Sequence, residues 1–149
     1  MKQARRIYEG GEAYALAIYC GGLAVESLLR AFRWQKDASF EGRHDLAELL
    51  KASGLMRIGD EYMRNSGASE LEIQTAGIKL RTAIQEVIRV WRNDLRFASE
   101  ASLRAFLNEM HRLQGIKGNP LKKNAMDMLS AAQTVIDRGE ILWTSKKKS

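Results

Sequence analysis

The sequence predicts an all-α protein, an antiparallel helical bundle of four to five main helices plus short ones. Apolar residues recur at helical spacing over long stretches, and no run of β-branched residues alternates between turn residues as a hairpin would. The chain has one proline and many Ala, Leu, Glu, Arg and Lys residues, which lose little freedom in a helix. Its 149 residues, 45% hydrophobic and 28% charged, suit one soluble domain able to bury a core without staples.

The first helix is predicted from about Gln3 to Trp34. Ile18, Gly22, Val25, Leu29 and Phe32 step by four, three, four and three, and Tyr14, Ala15 and Ala17 widen that face. Gly10-Gly11 and Gly21-Gly22 both lie in this helical context. A helical glycine costs about 1 kcal/mol relative to alanine, so the second pair implies close approach of a neighbouring helix, or a kink. Glu26 precedes Arg30 by four, the favourable order for a helical ion pair.

Lys36 to Gly42 is polar and reads as a loop. Arg43-His44-Asp45 then opens a short helix that stops at Ser53-Gly54, glycine being a natural left-handed stop. A second short helix, about Leu55 to Arg64, ends at Asn65-Ser66-Gly67.

The strongest signal is Glu70 to Phe97. Ile73, Gly77, Leu80, Ile84, Val87 and Trp91 form one apolar stripe, and the helix is expected to fray near Asn93-Asp94. At roughly 100° per residue, Arg81, Gln85, Arg89, Arg92 and Arg96 fall within a sector of about 80° on the opposite side. Ser99 starts another helix that runs to Leu113, with Leu103, Phe106, Leu107 and Met110 inward. Asn119-Pro120 restarts the chain. Leu121, Ala125, Met128, Ala132 and Val135 carry the last helix, which fades past Gly139 and Trp143. Residues 1–144 are expected to form a single domain, and 145–149 a disordered basic tail.

The net charge of +6 and pI near 9.6 favour an acidic partner, nucleic acid first. Half of the excess comes from Lys146, Lys147 and Lys148, so the arginine stripe is the better indicator. Cys20 has no internal disulfide partner and sits among apolar neighbours, which fits a buried thiol in the reducing cytoplasm. Met1 to Gly10 lacks the apolar core of a signal peptide, and the apolar run Ala13 to Val25 is too short for a bilayer, so no membrane is expected.

His44 and His111 lack zinc-site spacing, no repeated Glu-x-x-His pairs suggest a di-iron site, and no glycine-rich phosphate loop is present. No metal or cofactor is therefore expected. What remains are polar residues at helix ends. His44 and Asp45 read as a cap and dipole partner, or as ligand contacts. Arg92, Asn93 and Arg96 beside Trp91 and Phe97 read as snorkelling arginines around an aromatic pair, or as a phosphate or base contact.

Three ordered segments resemble the HEPN (higher eukaryotes and prokaryotes nucleotide-binding) family. They are Ala24-Val25-Glu26 with Leu28, Leu29 and Ala31; His44-Asp45-Leu46; and the arginine-aromatic element Trp91-Arg92-Asn93-Asp94-Leu95-Arg96-Phe97. The resemblance covers about Ala13 to Phe97. It implies a HEPN-like bundle, often a homodimer, and many family members sit beside a nucleotidyltransferase in toxin–antitoxin or defence modules. Together with the arginine stripe, it makes Glu26, His44, Arg89, Arg92, Asn93 and Arg96 the expected nucleotide- or nucleic-acid-binding residues.

Many HEPN proteins are metal-independent RNases carrying Arg, a polar residue and then His at a composite dimer site. Here Arg92-Asn93 matches the start, but Phe97, Ala98 and Ser99 stand where the histidine should be. Arg104 and His111, seven apart on one predicted helix face, are the other catalytic candidates. The resemblance thus points to a binding module, or a partner of a nucleotidyltransferase, without the usual catalytic histidine. The alternatives are an active RNase with a composite dimer site, and a purely structural or protein-interaction bundle.

Overall fold

The protein is all-α, as seen in a computed structural model that describes residues 1–35 and 44–146. The α-helices are α1 (Lys2–Gly10), α2 (Tyr14–Trp34), α3 (Leu46–Ser53), α4 (Leu55–Asn65), α5 (Glu70–Val90), α6 (Glu100–Glu109) and α7 (Pro120–Lys146). A 3₁₀ turn, Asn93–Phe97, stands between α5 and α6. Helix α2 runs through the centre and touches α1, α3, α7 and the 3₁₀ turn. Helix α7 also packs along α5, and α4 lies against both.

Side-chain caps fix where several helices begin. Asp45 accepts from the Ala47 and Glu48 amides at the head of α3, and left-handed Gly54 (φ 66°) separates α3 from α4. Ser69 and Glu72 form a reciprocal capping box on α5. The Ser69 hydroxyl and amide, donating to Glu72, hold its carboxyl below the usual range. That contribution is complete above the ordinary glutamate value and is lost as pH falls through the lowered one. Ser99 caps α6, and Asn119 caps α7 through the Leu121 and Lys122 amides.

The expected apolar stripes are where the core is. Ile18, Val25, Leu29 and Phe32 of α2 are fully buried, as are Ile84 and Val87 of α5 and Ala125, Met128 and Val135 of α7. Helix α2 reaches 21 residues, so by length and composition it could cross a membrane, contrary to the reading of Ala13 to Val25 as too short. Its apolar side is instead spent on the bundle. Cys20 is half-buried, not enclosed.

Four boundaries differ from expectation, one of them that of the helix expected to run to Leu113, which ends at Glu109. The single helix from Gln3 to Trp34 is two, because Gly11 turns left-handed (φ 78°) and closes α1 through a bond to the Tyr8 carbonyl. The helix expected to fray near Asn93-Asp94 ends already at Val90, where Trp91 and Arg92 become extended. The last helix, expected to fade past Gly139 and Trp143, continues to Lys146 and so takes in Ser145 and Lys146. A methyl group at Gly139 would meet Leu28 Cδ2 at 2.3 Å, so this glycine serves packing. The expected loop Lys36 to Gly42 and residues 147–149 lie outside the described residues.

Gly21 and Gly22 produce close approach within an unbroken helix. A methyl group on Gly21 would stand 2.6 Å from Leu129 Cδ2 of α7, and one on Gly22 would stand 1.9 Å from Trp91 Cδ1. The Trp91 indole lies in that notch, donates from Nε1 to the Tyr19 carbonyl at 3.1 Å, and stacks on the Tyr19 ring. A flat, anchored ring has little room to give. Gly22→Ala is therefore expected to destabilise the fold by about 2 kcal/mol, overpacking outweighing the gain in helix propensity. Gly139→Ala, which meets a single movable leucine, is expected to lose less. Urea unfolding of the two variants measures the difference, and a Gly22→Ala variant as stable as wild type would contradict the notch.

Candidate functional site

The early end of α5 creates the site. Once Trp91 is seated on α2, Arg92 leaves in extended conformation and Asn93–Phe97 coil into the 3₁₀ turn beside the head of α3. Between them lies an open groove of about 590 Å³, lined by His44, Asp45, Leu46 and Ala47 on one side and Arg92, Asn93, Asp94, Arg96 and Phe97 on the other. Ile88 and Trp91 complete it.

Beneath the groove is a buried acid. Glu26, one helical turn beyond Gly22 on the same face of α2, is 2% exposed. Its carboxylate accepts from His44 Nδ1 at 2.9 and 3.1 Å and from Arg30 Nε at 2.6 Å. A carboxylate can only accept here, so Nδ1 carries the proton and Nε2 is left for other partners. The His44 side chain is 55% exposed, which puts a held imidazole within reach of solvent and ligand.

The arginines of the groove are in different states. Arg92 makes a two-pronged bond to Asp94, at 3.1 Å from Nε and 2.6 Å from Nη2, with its guanidinium carbon 5.0 Å from the Phe106 ring centre. Arg96 lies over the Phe97 ring at 4.4 Å, and among the described residues no carboxylate pairs with it. Asp45 is occupied by its own helix, capping the two amides that α3 would otherwise offer to an anion. The lining thus holds two arginines and two aspartates, one of the aspartates beside Arg92 and the other on the opposite wall. Anion binding must then draw on Arg96 and on exchange at Arg92.

Of the residues expected from sequence, His44, Arg92, Asn93 and Arg96 meet in this groove, with Glu26 below them. Arg89 does not line it. It stays on the exposed side of α5 with Arg81 and Gln85, so the five-residue face is divided when the helix ends at Val90. The Arg104 and His111 pair also separates: α6 stops at Glu109, and His111 turns into left-handed backbone (φ 55°) outside the helix. Neither residue lines the groove. Sequence reasoning misses Asp45 as a competing anion, whereas Asp94, two residues after Arg92, is a local signal that the sequence does carry. The bond between Glu26 and His44 spans 18 residues, and no spacing rule announces it.

Comparison with protein-family models, curated proteins and solved structures gives no match. The chemistry must therefore be read from the groove. Among the described residues, no three His, Cys, Asp or Glu side chains converge as a metal site would require. Burial pushes the Cys20 thiol up, partly offset by the N-terminal ammonium, which leaves little thiolate for nucleophilic attack at neutral pH.

Glu26 has two cationic or protonatable partners and His44 has one carboxylate, so their deletions should not be equal. Glu26→Ala removes the acceptor shared by His44 Nδ1 and Arg30 Nε and leaves a buried cavity, and is expected to cost about 2 kcal/mol. His44→Ala leaves the Glu26–Arg30 pair in place and is expected to cost less than half of that. Thermal or urea unfolding decides; equal losses would mean that the carboxylate is not the hub.

Proposed function

We propose that this chain is a HEPN-like module whose groove binds the phosphate backbone of a nucleic acid or nucleotide. The observation that carries it is the convergence of Arg92, Asn93, Arg96 and a carboxylate-held His44 on one open groove. Guanidinium forks and an amide suit phosphate oxygens, and an imidazole with Nδ1 already bonded offers Nε2 in a set direction. The Arg92–Asp94 pair does not block this reading. Its side chains are 52% and 63% exposed, and an ion pair of that kind contributes about 0.2–1 kcal/mol. A backbone phosphate, whose single charge is shared by two non-bridging oxygens, can take the place of Asp94 at the guanidinium fork.

The resemblance to HEPN proteins extends the proposal to a cytoplasmic homodimer and to a nucleotidyltransferase as partner, in a toxin–antitoxin or defence setting. These rest on the three ordered segments, of which Glu26, His44 and the Trp91 to Phe97 element share one region of the fold.

Fluorescence anisotropy with a short labelled single-stranded RNA tests the binding site. Arg92→Ala and Arg96→Ala should each weaken binding and reduce the slope of log affinity against log salt by about 0.7, the value for one phosphate fewer neutralised. Asp94→Asn should tighten binding by freeing Arg92. Arg81→Ala, on the separate α5 face, should change little. Unchanged affinity in both groove variants would refute the assignment.

The Glu26–His44 pair favours a second reading, cleavage of RNA without metal. His44 Nε2 would take the proton of a ribose 2′-hydroxyl as that oxygen attacks phosphorus, and the departing 5′-oxygen would be protonated by water, leaving a 2′,3′-cyclic phosphate. General acid–base help of this type is worth about 10²–10⁴-fold. Incubation of RNA with purified protein in chelator should then give cyclic-phosphate ends for wild type and none for His44→Ala. An inactive wild type leaves only the binding role.

A further inference from the structure

We infer that Phe97 is a stacking platform for an unpaired nucleobase, which makes the groove a reader of single-stranded nucleic acid. The inference rests on the phosphate-binding reading above and specifies the class of ligand. Phe97 is 80% exposed, the most exposed of the large hydrophobic residues among those described. One exposed aromatic on its own is ordinary. This one lines the groove next to Arg96, whose guanidinium lies over the ring at 4.4 Å. The adjacent pair thus offers two different contacts at one point: a ring for a base, and a fork for the phosphate beside it.

The other aromatic residue of the groove cannot serve. Trp91 is buried, seated at Gly22, with its N–H given to the Tyr19 carbonyl. Moving it would dismantle the turn that holds Arg92 and Arg96. Phe97 is free of such duties: it ends the 3₁₀ turn, and Leu95 is the residue of that turn buried in the core. A duplex keeps its bases stacked on one another and presents backbone alone, so it can use the arginines but not the ring. A single strand can use both. Stacking ignores the sugar, so RNA and DNA single strands should respond alike.

Anisotropy titrations should compare wild type, Phe97→Ala and Phe97→Trp on four labelled probes: single-stranded RNA, single-stranded DNA of the same sequence, the RNA duplex, and the RNA strand with its central bases removed. Phe97→Ala should bind both intact single strands about tenfold more weakly while matching wild type on the duplex and the base-free strand. Phe97→Trp should restore or exceed wild-type affinity. Circular dichroism should show Phe97→Ala melting like wild type, as expected for so exposed a ring. If Phe97→Ala binds single strands as wild type does while Arg92→Ala and Arg96→Ala weaken them, the inference fails and the phosphate-binding reading stands. If the arginine variants also have no effect, both fail together. An effect of equal size on every probe, or a change confined to self-association in sedimentation, would also overturn it.

Discussion

The indole of Trp91 fills the space that any side chain at position 22 would need, and its N–H is bound to the carbonyl of Tyr19. Both partners belong to α2, whereas the chain carrying the tryptophan belongs to the end of α5. Seating the ring there turns the backbone out of helical conformation at Trp91 and Arg92 and sends Asn93–Phe97 across the face of α2. The groove is what this departure leaves between the 3₁₀ turn and the head of α3. Had the helix run on, Arg92 and Arg96 would have stood in line with Arg81 and Arg89, and no wall would face His44.

Helix α2 thus supports both sides of the groove from one face. Gly22 receives the anchor of the arginine turn, and four residues later Glu26 holds the imidazole of the opposite wall. The two supports differ in kind. The first is steric and depends on the lack of a side chain; the second is electrostatic and depends on a buried carboxylate with charged or polar donors on both sides. Asp94 and Asp45 temper the result. They offset the charges of Arg92 and Arg96 when the groove is empty, and they place the decisive electrostatics on the exchange of Arg92 between Asp94 and an incoming anion.

Much of this architecture is legible in the residue pattern. The stripes of α2, α5 and α7 mark the buried faces, and Asp45, Ser99 and Asn119 each cap a helix start, whereas the Ser69 cap of α5 goes unread. Two features mislead. Gly10-Gly11 and Gly21-Gly22 are the same dipeptide with opposite outcomes, because nothing packs on Gly10 while Leu129 and Trp91 press on Gly21 and Gly22. Periodicity cannot see that difference. Trp91 also continues the apolar stripe of α5 in perfect step, so the pattern runs one residue past the end of the helix that it describes. The tryptophan is buried for another reason, and periodicity places every residue after it on the wrong face. Family resemblance points to His44 and Glu26 as separate residues, while the bond between them is a tertiary fact.

The central claim is that the groove, and not the arginine face of α5, meets the ligand. Guanidinium and imidazole resonances report on this one residue at a time. In a titration of isotope-labelled protein with a short single-stranded RNA, the Arg92 and Arg96 Nε–H signals, the His44 ring and the Phe97 ring should shift together, while Arg81 and Arg89 stay in place. Shifts concentrated on Arg81 and Arg89, with the groove residues silent, would contradict the account.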